Sequence, residues 1–271
     1  LEASAAVGQA HKDGFTPLFI ACQEDYLEIA RMLLGAGAAI NQAAADGATP
    51  LFIASQEGHL DVAQLLLEAG AAINQAAEDG ATPLFMACAR GHVDIVRLLL
   101  EASAAVGQAH KDGFTPLFVA CQQGHLEIAR LLLEANAAID QATNNGFTPL
   151  RVASQSGHPE SARLLCVTGA VVDQACNNGA TPLSMACQKG HLDIVQLLLE
   201  AGAATDQARD GGDTPLLIAC ENNNLECVRL LLEAGASTDQ AEGQGATPLF
   251  AACQEGHVQC ARLLLEAGAA V

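Results

Sequence analysis

Short apolar clusters alternate with short polar ones along the whole chain, and the alternation keeps a fixed beat. Thr49-Pro-Leu-Phe-Ile-Ala opens one unit, Gln56-Glu-Gly-His59 interrupts it, and a Leu-rich run ending Leu65-Leu-Leu-Glu-Ala-Gly70 closes it. Thr49 is a strong helix N-cap, and Pro50 suits the first helical position, where a missing N–H is no loss. The pattern predicts a short first helix from there to about Gln56. Gly58 is the residue expected at a left-handed helix stop. Its equivalents are Gly91, Gly124, Gly157, Gly190 and Gly256, with Asp25 and Asn223 in the two remaining units. Asp and Asn are the non-glycine residues that best tolerate positive φ, so the backbone requirement persists there. A second helix, roughly Leu60 to Ala69, opens with an acid suited to the helix dipole and stops near Gly70. The stretches between second helices and the next Thr-Pro-Leu lack helical periodicity and carry Asn, Asp and Gly. They read as extended hairpin loops.

The beat is 33 residues. Thr-Pro-Leu begins at Thr16, Thr49, Thr82, Thr115, Thr148, Thr181, Thr214 and Thr247, with no insertion. Leu1–Phe19 is repeated identically as Leu100–Phe118, which reads as duplication of a three-unit block. A fixed period of this size means one supersecondary unit, stacked. The chain thus reads as one array over 1–271. It has a tail of an upstream unit at 1–10, then units at 11–43, 44–76, 77–109, 110–142, 143–175, 176–208, 209–241 and 242–271. Neither end carries the polar outer face of a capping unit. A longer native array is expected, whose exposed ends fray or associate end to end; otherwise the chain is expected to be a monomer.

Segments such as Asp46-Gly-Ala-Thr-Pro-Leu-Phe-Ile-Ala-Ser-Gln-Glu-Gly-His59, followed by Leu65-Leu-Leu-Glu-Ala-Gly70, resemble ankyrin repeats. The resemblance covers essentially the whole chain and predicts an all-α repeat solenoid of about eight helix pairs. Hairpin loops would lie at right angles to the helices, along one edge. One departure is systematic: the family's His after Thr-Pro-Leu is Phe19, Phe52, Phe85, Phe118 or Phe250, and Arg151, Ser184 or Leu217 elsewhere.

Composition narrows the function. Lys and Arg number 12 against 31 Asp and Glu, a net charge of −19, which argues against a phosphate-driven nucleic-acid binder. No apolar run approaches the roughly 18 residues of a membrane span, so no membrane insertion is expected. Only nine residues are aromatic, eight Phe and Tyr26, so the core must rest on many small helical contacts.

Eight histidines and ten cysteines look like chemistry until they are phased. His59, His92, His125, His158, His191 and His257 share the turn between helices. Stacked helical layers lie about 8–10 Å apart, too far for a shared zinc, so inter-repeat hydrogen bonds are expected. His11 and His110 belong to the duplicated hairpin and are expected to be exposed. Cys22, Cys88, Cys121, Cys187, Cys220 and Cys253 share one first-helix position with Ser55 and Ser154, which reads as a small buried packing site. Cys166, Cys227 and Cys260 replace apolar residues of other units and read as core. Cys176, on a hairpin, is expected to be the reactive thiol. Reduced cysteines imply a cytoplasmic protein. Acids and Arg of the second helices form Glu-x2-Arg-x3-Glu patterns, read as a solvated salt-bridged face. No catalytic constellation stands outside the repeat, and neither cofactor nor metal is expected.

The resemblance implies a non-catalytic scaffold that binds a protein or peptide in a concave groove, through hairpin tips and the inner face of each first helix. The rival readings are a docking arm of a larger enzyme, channel or ubiquitin-ligase adaptor, and a mechanical spacer. Charge at those positions is uneven. Repeats one to three carry Lys12 and Arg90 against Asp13, Glu24, Asp46, Glu57, Glu78 and Asp79, net −4. Repeats seven and eight carry Arg209 against Asp210, Asp213, Glu221, Glu242 and Glu255, also −4. Repeats four to six carry Lys111, Arg151 and Lys189 against Asp112 alone, net +2. The expected contact set is therefore Lys111, Phe114, Gln122, Asn144, Phe147, Arg151, Asn177, Asn178, Ser184 and Lys189, facing a partner segment that combines an acidic with an apolar residue. The resemblance further implies asparagine hydroxylation at Asn41 and Asn74, although the acid usual two residues earlier is Ala39 or Ala72.

Overall fold

In the computed structural model, residues 8–271 are described; the expected helix tail over Leu1–Val7 lies outside them. Contacts group the chain into two units, Leu1–Ala138 and Ile139–Val271. The first holds α1 (Pro17–Gln23), α2 (Leu27–Gly35), α3 (Pro50–Glu57), α4 (Leu60–Glu68), α5 (Pro83–Arg90), α6 (Val93–Glu101), α7 (Pro116–Gln123) and α8 (Leu126–Glu134). The second holds α9 (Pro149–Ser156), α10 (Pro159–Thr168), α11 (Pro182–Lys189), α12 (Leu192–Glu200), α13 (Pro215–Glu221), α14 (Leu225–Glu233), α15 (Pro248–Gln254) and α16 (Val258–Glu266). Each helix packs on its hairpin partner, and within each unit first helices stack on first helices and second on second. The result is an all-α repeat solenoid.

Every first helix starts the same way. Each Thr Oγ1 accepts the backbone N–H three residues on, at 3.1–3.2 Å, and Pro follows at the first helical position. Such a cap contributes about 1 kcal/mol, so eight of them fix where the helices begin before any packing is counted. The first helices from α3 to α13 bury most of their length, Pro50 to Ser55 in α3 without exception, whereas α15 buries only Pro248, Ala251 and Ala252. Second helices bury one stripe only, Val62, Ala63 and Leu66 in α4. The other face carries ion pairs such as Arg130–Glu127 and Arg229–Glu226 at helical spacing, plus an inter-repeat link, Arg97–Glu127.

The left-handed stops fall as expected: Gly58 sits at φ +89°, and Asp25 and Asn223 at +58° and +55°. Gly58 has a second reason to lack a side chain, because a Cβ there would meet His92 Cε1 at 2.7 Å. The glycine stop thus seats the next repeat's imidazole. The second-helix stop is left-handed too, and Ser103 is forced to φ +67° where Gly70 has +87°. Ser103 is exposed, and nothing lies within 4 Å of a Cβ at Gly70. Ser103→Gly should therefore raise stability by about 0.5–1 kcal/mol, read as a higher urea midpoint at unchanged slope. A lower midpoint would show that the serine is not strained.

The hairpin loops are turns, with no strand assigned among the described residues. Each tip is too short for a ladder. Ala44 N–H donates to Ala48 O and Gly47 N–H to Ala44 O, and one further bond reaches the neighbouring tip, as Glu78 N–H to Asp46 O at 2.8 Å.

Four of the six turn histidines bridge repeats as expected. Nε2 lies 2.9 Å from Gln23 O in His59, 2.9 Å from Gln56 O in His92, 3.2 Å from Gln155 O in His191 and 3.1 Å from Glu221 O in His257. A carbonyl only accepts, so Nε2 carries the proton. Asn224, in the histidine's place, donates its amide to Cys187 O at 2.7 Å. A second ladder was not read from the sequence. Asn41 and Asn74 each accept the next repeat's backbone N–H at 2.8 Å, from Ala72 and Ala105; Asp140, Asp173, Asp206 and Asp239 do the same for Val171, Ala204, Ser237 and Ala270. The recurrence of Asn or Asp in that phase could have revealed it.

Candidate functional site

In the first unit an aromatic run links a hairpin to the first helices α5 and α7. Phe85, His110, Phe114 and Phe118 follow one another with ring centroids 5.9, 5.8 and 5.1 Å apart. His110 is therefore half-buried between two Phe rings, not exposed as its hairpin position suggested, whereas His11 is exposed. Lys111 and Gln122 are exposed, and Phe114 is half-buried within the run.

In the second unit, Asn144, Asn177 and Asn178 are exposed at the hairpin tips and Lys189 at the end of α11. The tips brace each other: Asn177 Nδ2 donates to Asn144 O and Asn177 N–H to Asn145 O, both at 3.1 Å. Asn178 Oδ1 accepts from Ala180 N–H at 3.2 Å and from the Cys176 thiol at 2.8 Å. Phe147 is half-buried against Cys176, Ala180 and Met185.

Two expected contact residues leave the surface. Arg151 is 5% exposed; its guanidinium lies over the Phe147 ring, 3.8 Å from the centroid, and Nη1 donates to Gln155 Oε1 at 3.0 Å. The apolar stem and ring shelter the charge more completely than a groove rim would. Burial lowers the Arg151 pKa, and Cys176 opposes that shift. Ser184 is 1% exposed, because its hydroxyl closes a capping box with Thr181: it accepts from Thr181 N–H at 3.0 Å and donates to Thr181 O at 2.9 Å.

The cysteines also need correcting. Five of the six in the first-helix phase are fully buried, and burial pushes the Cys22 and Cys121 thiols up to about 12. Cys253 is exposed, because among the described residues α15 has a first helix packed on one side only, α13. Cys176, expected to be open on its hairpin, is buried under Phe147. Cys227 and Cys260 are core as expected, but Cys166 is only half-buried, since its phase lies at the edge of the second-helix stripe. Of the two serines sharing the buried phase, Ser154 donates to Leu150 O at 2.8 Å, while Ser55 Oγ has no partner among the described residues.

Repeats seven and eight are acidic in space as in sequence. Asp213, Glu221, Glu242, Gln244, Phe250 and Gln254 line one cleft. The Glu221 carboxyl is raised, first by burial and then by Asp213, with Glu255 and Glu242 adding to it; Arg209 works against the shift. Arg209 itself is taken by Asp213, Nε to Oδ2 at 2.6 Å.

Among the described residues no three His, Cys, Asp or Glu side chains converge as metal ligands, and no helix is long and apolar enough to cross a membrane. No curated protein matches the chain. A family model for ankyrin repeats (3 copies) matches at residues 1–77, 69–143, 135–209 and 202–271. Such repeats are generally protein–protein interaction modules. With its capped helix pairs, its 33-residue period and this match over its length, the chain belongs to the ankyrin-repeat family.

Proposed function

We propose that this chain is a non-catalytic scaffold that binds a protein segment through its hairpin tips, with an acidic and an apolar residue on that segment. The observation that carries the reading is the change of sign along the second unit. Lys189, Asn177 and Asn178 are exposed and Phe147 is half-buried in the fifth and sixth repeats, and the acidic cleft of Asp213, Glu221 and Glu242 follows in the next two. A partner acid placed at Lys189 is attracted, and one placed at Glu221 is repelled, so the charge pattern sets direction as well as affinity. Asn144 completes the set in this unit. Lys111, Gln122 and Phe114 offer a similar combination in the first. Arg151 and Ser184 serve the fold beneath these contacts.

Selection of displayed peptides on the 271-residue protein at low salt tests this. An acidic-plus-apolar consensus is expected, and Lys111→Glu with Lys189→Glu should weaken its binding about tenfold or more, whereas Lys12→Glu should leave it unchanged. A basic consensus, or equal loss from both changes, would overturn the assignment.

A further inference from the structure

Arg151 is a buried cation without an anion. Its Nε has no partner among the described residues, Nη1 is satisfied by a neutral amide, and no carboxylate offsets the effect of its burial. The thiol of Cys176, 6% exposed, packs beside the same Phe147 ring that the guanidinium covers, and it opposes the lowering of the Arg151 pKa. The thiol already spends its single proton on Asn178 Oδ1 at 2.8 Å, so toward the arginine it can act only as an acceptor. Sulfur acids have what this arrangement lacks: oxygen acceptors and, once ionised, a negative charge suited to a guanidinium fork.

We propose that Cys176 is a redox modification site, at which hydrogen peroxide converts the thiol to a sulfur acid held by Arg151. In the first step the sulfur attacks one peroxide oxygen; the S–O bond forms, the O–O bond breaks, and the departing hydroxide takes the thiol proton and leaves as water. Sulfur loses two electrons and peroxide gains them. A second peroxide repeats the transfer on the sulfenic acid, giving a sulfinate, one water and one released proton. The sulfinate oxygens then reach the guanidinium, which turns from the Phe147 face toward its new anion. The thiol's bond to Asn178 is lost in the process, and the new guanidinium–sulfinate pair takes its place in anchoring the hairpin that carries Asn177 and Asn178. The site requires no partner, so it stands or falls separately from the binding reading.

Peroxide treatment of the whole protein with dimedone present, followed by peptide mass spectrometry, reads the first step. Cys176 should be trapped well ahead of fully buried Cys187, and exposed Cys253 serves as an internal reference. Arg151→Gln should slow trapping at Cys176 about tenfold relative to Cys253, with Arg151→Lys between it and wild type. Without dimedone, at higher peroxide and in a Cys253→Ser background, sulfinate at Cys176 should leave the wild-type melting temperature nearly unchanged and lower that of Arg151→Gln, a difference that simple exposure of the thiol does not produce. The proposal is overturned if wild-type Cys176 is trapped no faster than Cys187. It is also overturned if both Arg151 variants keep the Cys176-to-Cys253 ratio of wild type, or if oxidation shifts every variant's melting temperature alike.

Discussion

Gly179→Ala is expected to destabilise the second unit by about 2–4 kcal/mol, the largest single-residue effect among the glycines of its hairpins and helix ends. Gly179 sits at φ +78°, where an L side chain costs about 1–2 kcal/mol. A Cβ there would stand 2.8 Å from Arg209 Cα and 2.8 Å from Asp210 N, backbone atoms that no side-chain rotation can move aside. Making room separates two hairpins joined by the Asp210 N–H to Asn178 O bond, whose loss adds about 1 kcal/mol. Gly235 is the control: its φ is +84°, yet nothing lies within 4 Å of its added Cβ. Gly235→Ala should therefore cost only the conformational part. Urea midpoints of the two variants would separate clash from strain, and equal shifts would mean that the hairpins yield freely.

Ser161→Ile is expected to act in the opposite direction, raising stability by about 1–3 kcal/mol. Ser161 in α10 is 1% exposed, and its equivalents Val62, Ile95, Ile128 and Ile194 are buried to within 1%. The serine thus leaves an apolar layer short of carbon. The same helix carries Val167, 77% exposed in a phase held by Glu in every other unit but the first, which has Gly35. Because stability in stacked repeats is close to nearest-neighbour additive, the span from Gly157 to Gly169 should open first, seen as early hydrogen exchange there. Ser161→Ile should slow that exchange and raise the melting temperature. A lowered melting temperature would mean that the layer has closed around the smaller side chain and has no room left.

Much of this was legible in one dimension because it is local. Thr followed by Pro caps a helix wherever it occurs, and Asp25 and Asn223 could be assigned positive φ from residue type alone. Period and phase then placed Cys88, Cys121 and Ser154 in one buried layer without knowledge of a single contact. The acid and base count along the hairpins likewise located the change of sign between repeats. What the pattern could not say is which side of a hairpin position is covered. Arg151 and Ser184 occupy a phase that the resemblance places on the inner face, yet one lies over Phe147 and the other closes a capping box.

The duplicated segment isolates the difference. Residues 1–19 and 100–118 are identical, so their caps agree: Thr16 and Thr115 each accept a Phe N–H at 3.1 Å, and Phe19 and Phe118 are both buried. Their histidines do not agree. His11 is exposed beside Asp13, while His110 is stacked between Phe85 of the preceding repeat and Phe114 of its own. Cys176 makes the same point, with a hairpin position in the sequence and, in space, a place against the aromatic ring that the Arg151 guanidinium covers. The sequence by itself determined what depends on a residue and its neighbours within a helical turn: caps, stops, period and the buried stripe. Tertiary structure alone decided the surroundings of a side chain whose contacts come from the adjacent repeat, because burial and charge environment are set by atoms about 33 residues away in the chain.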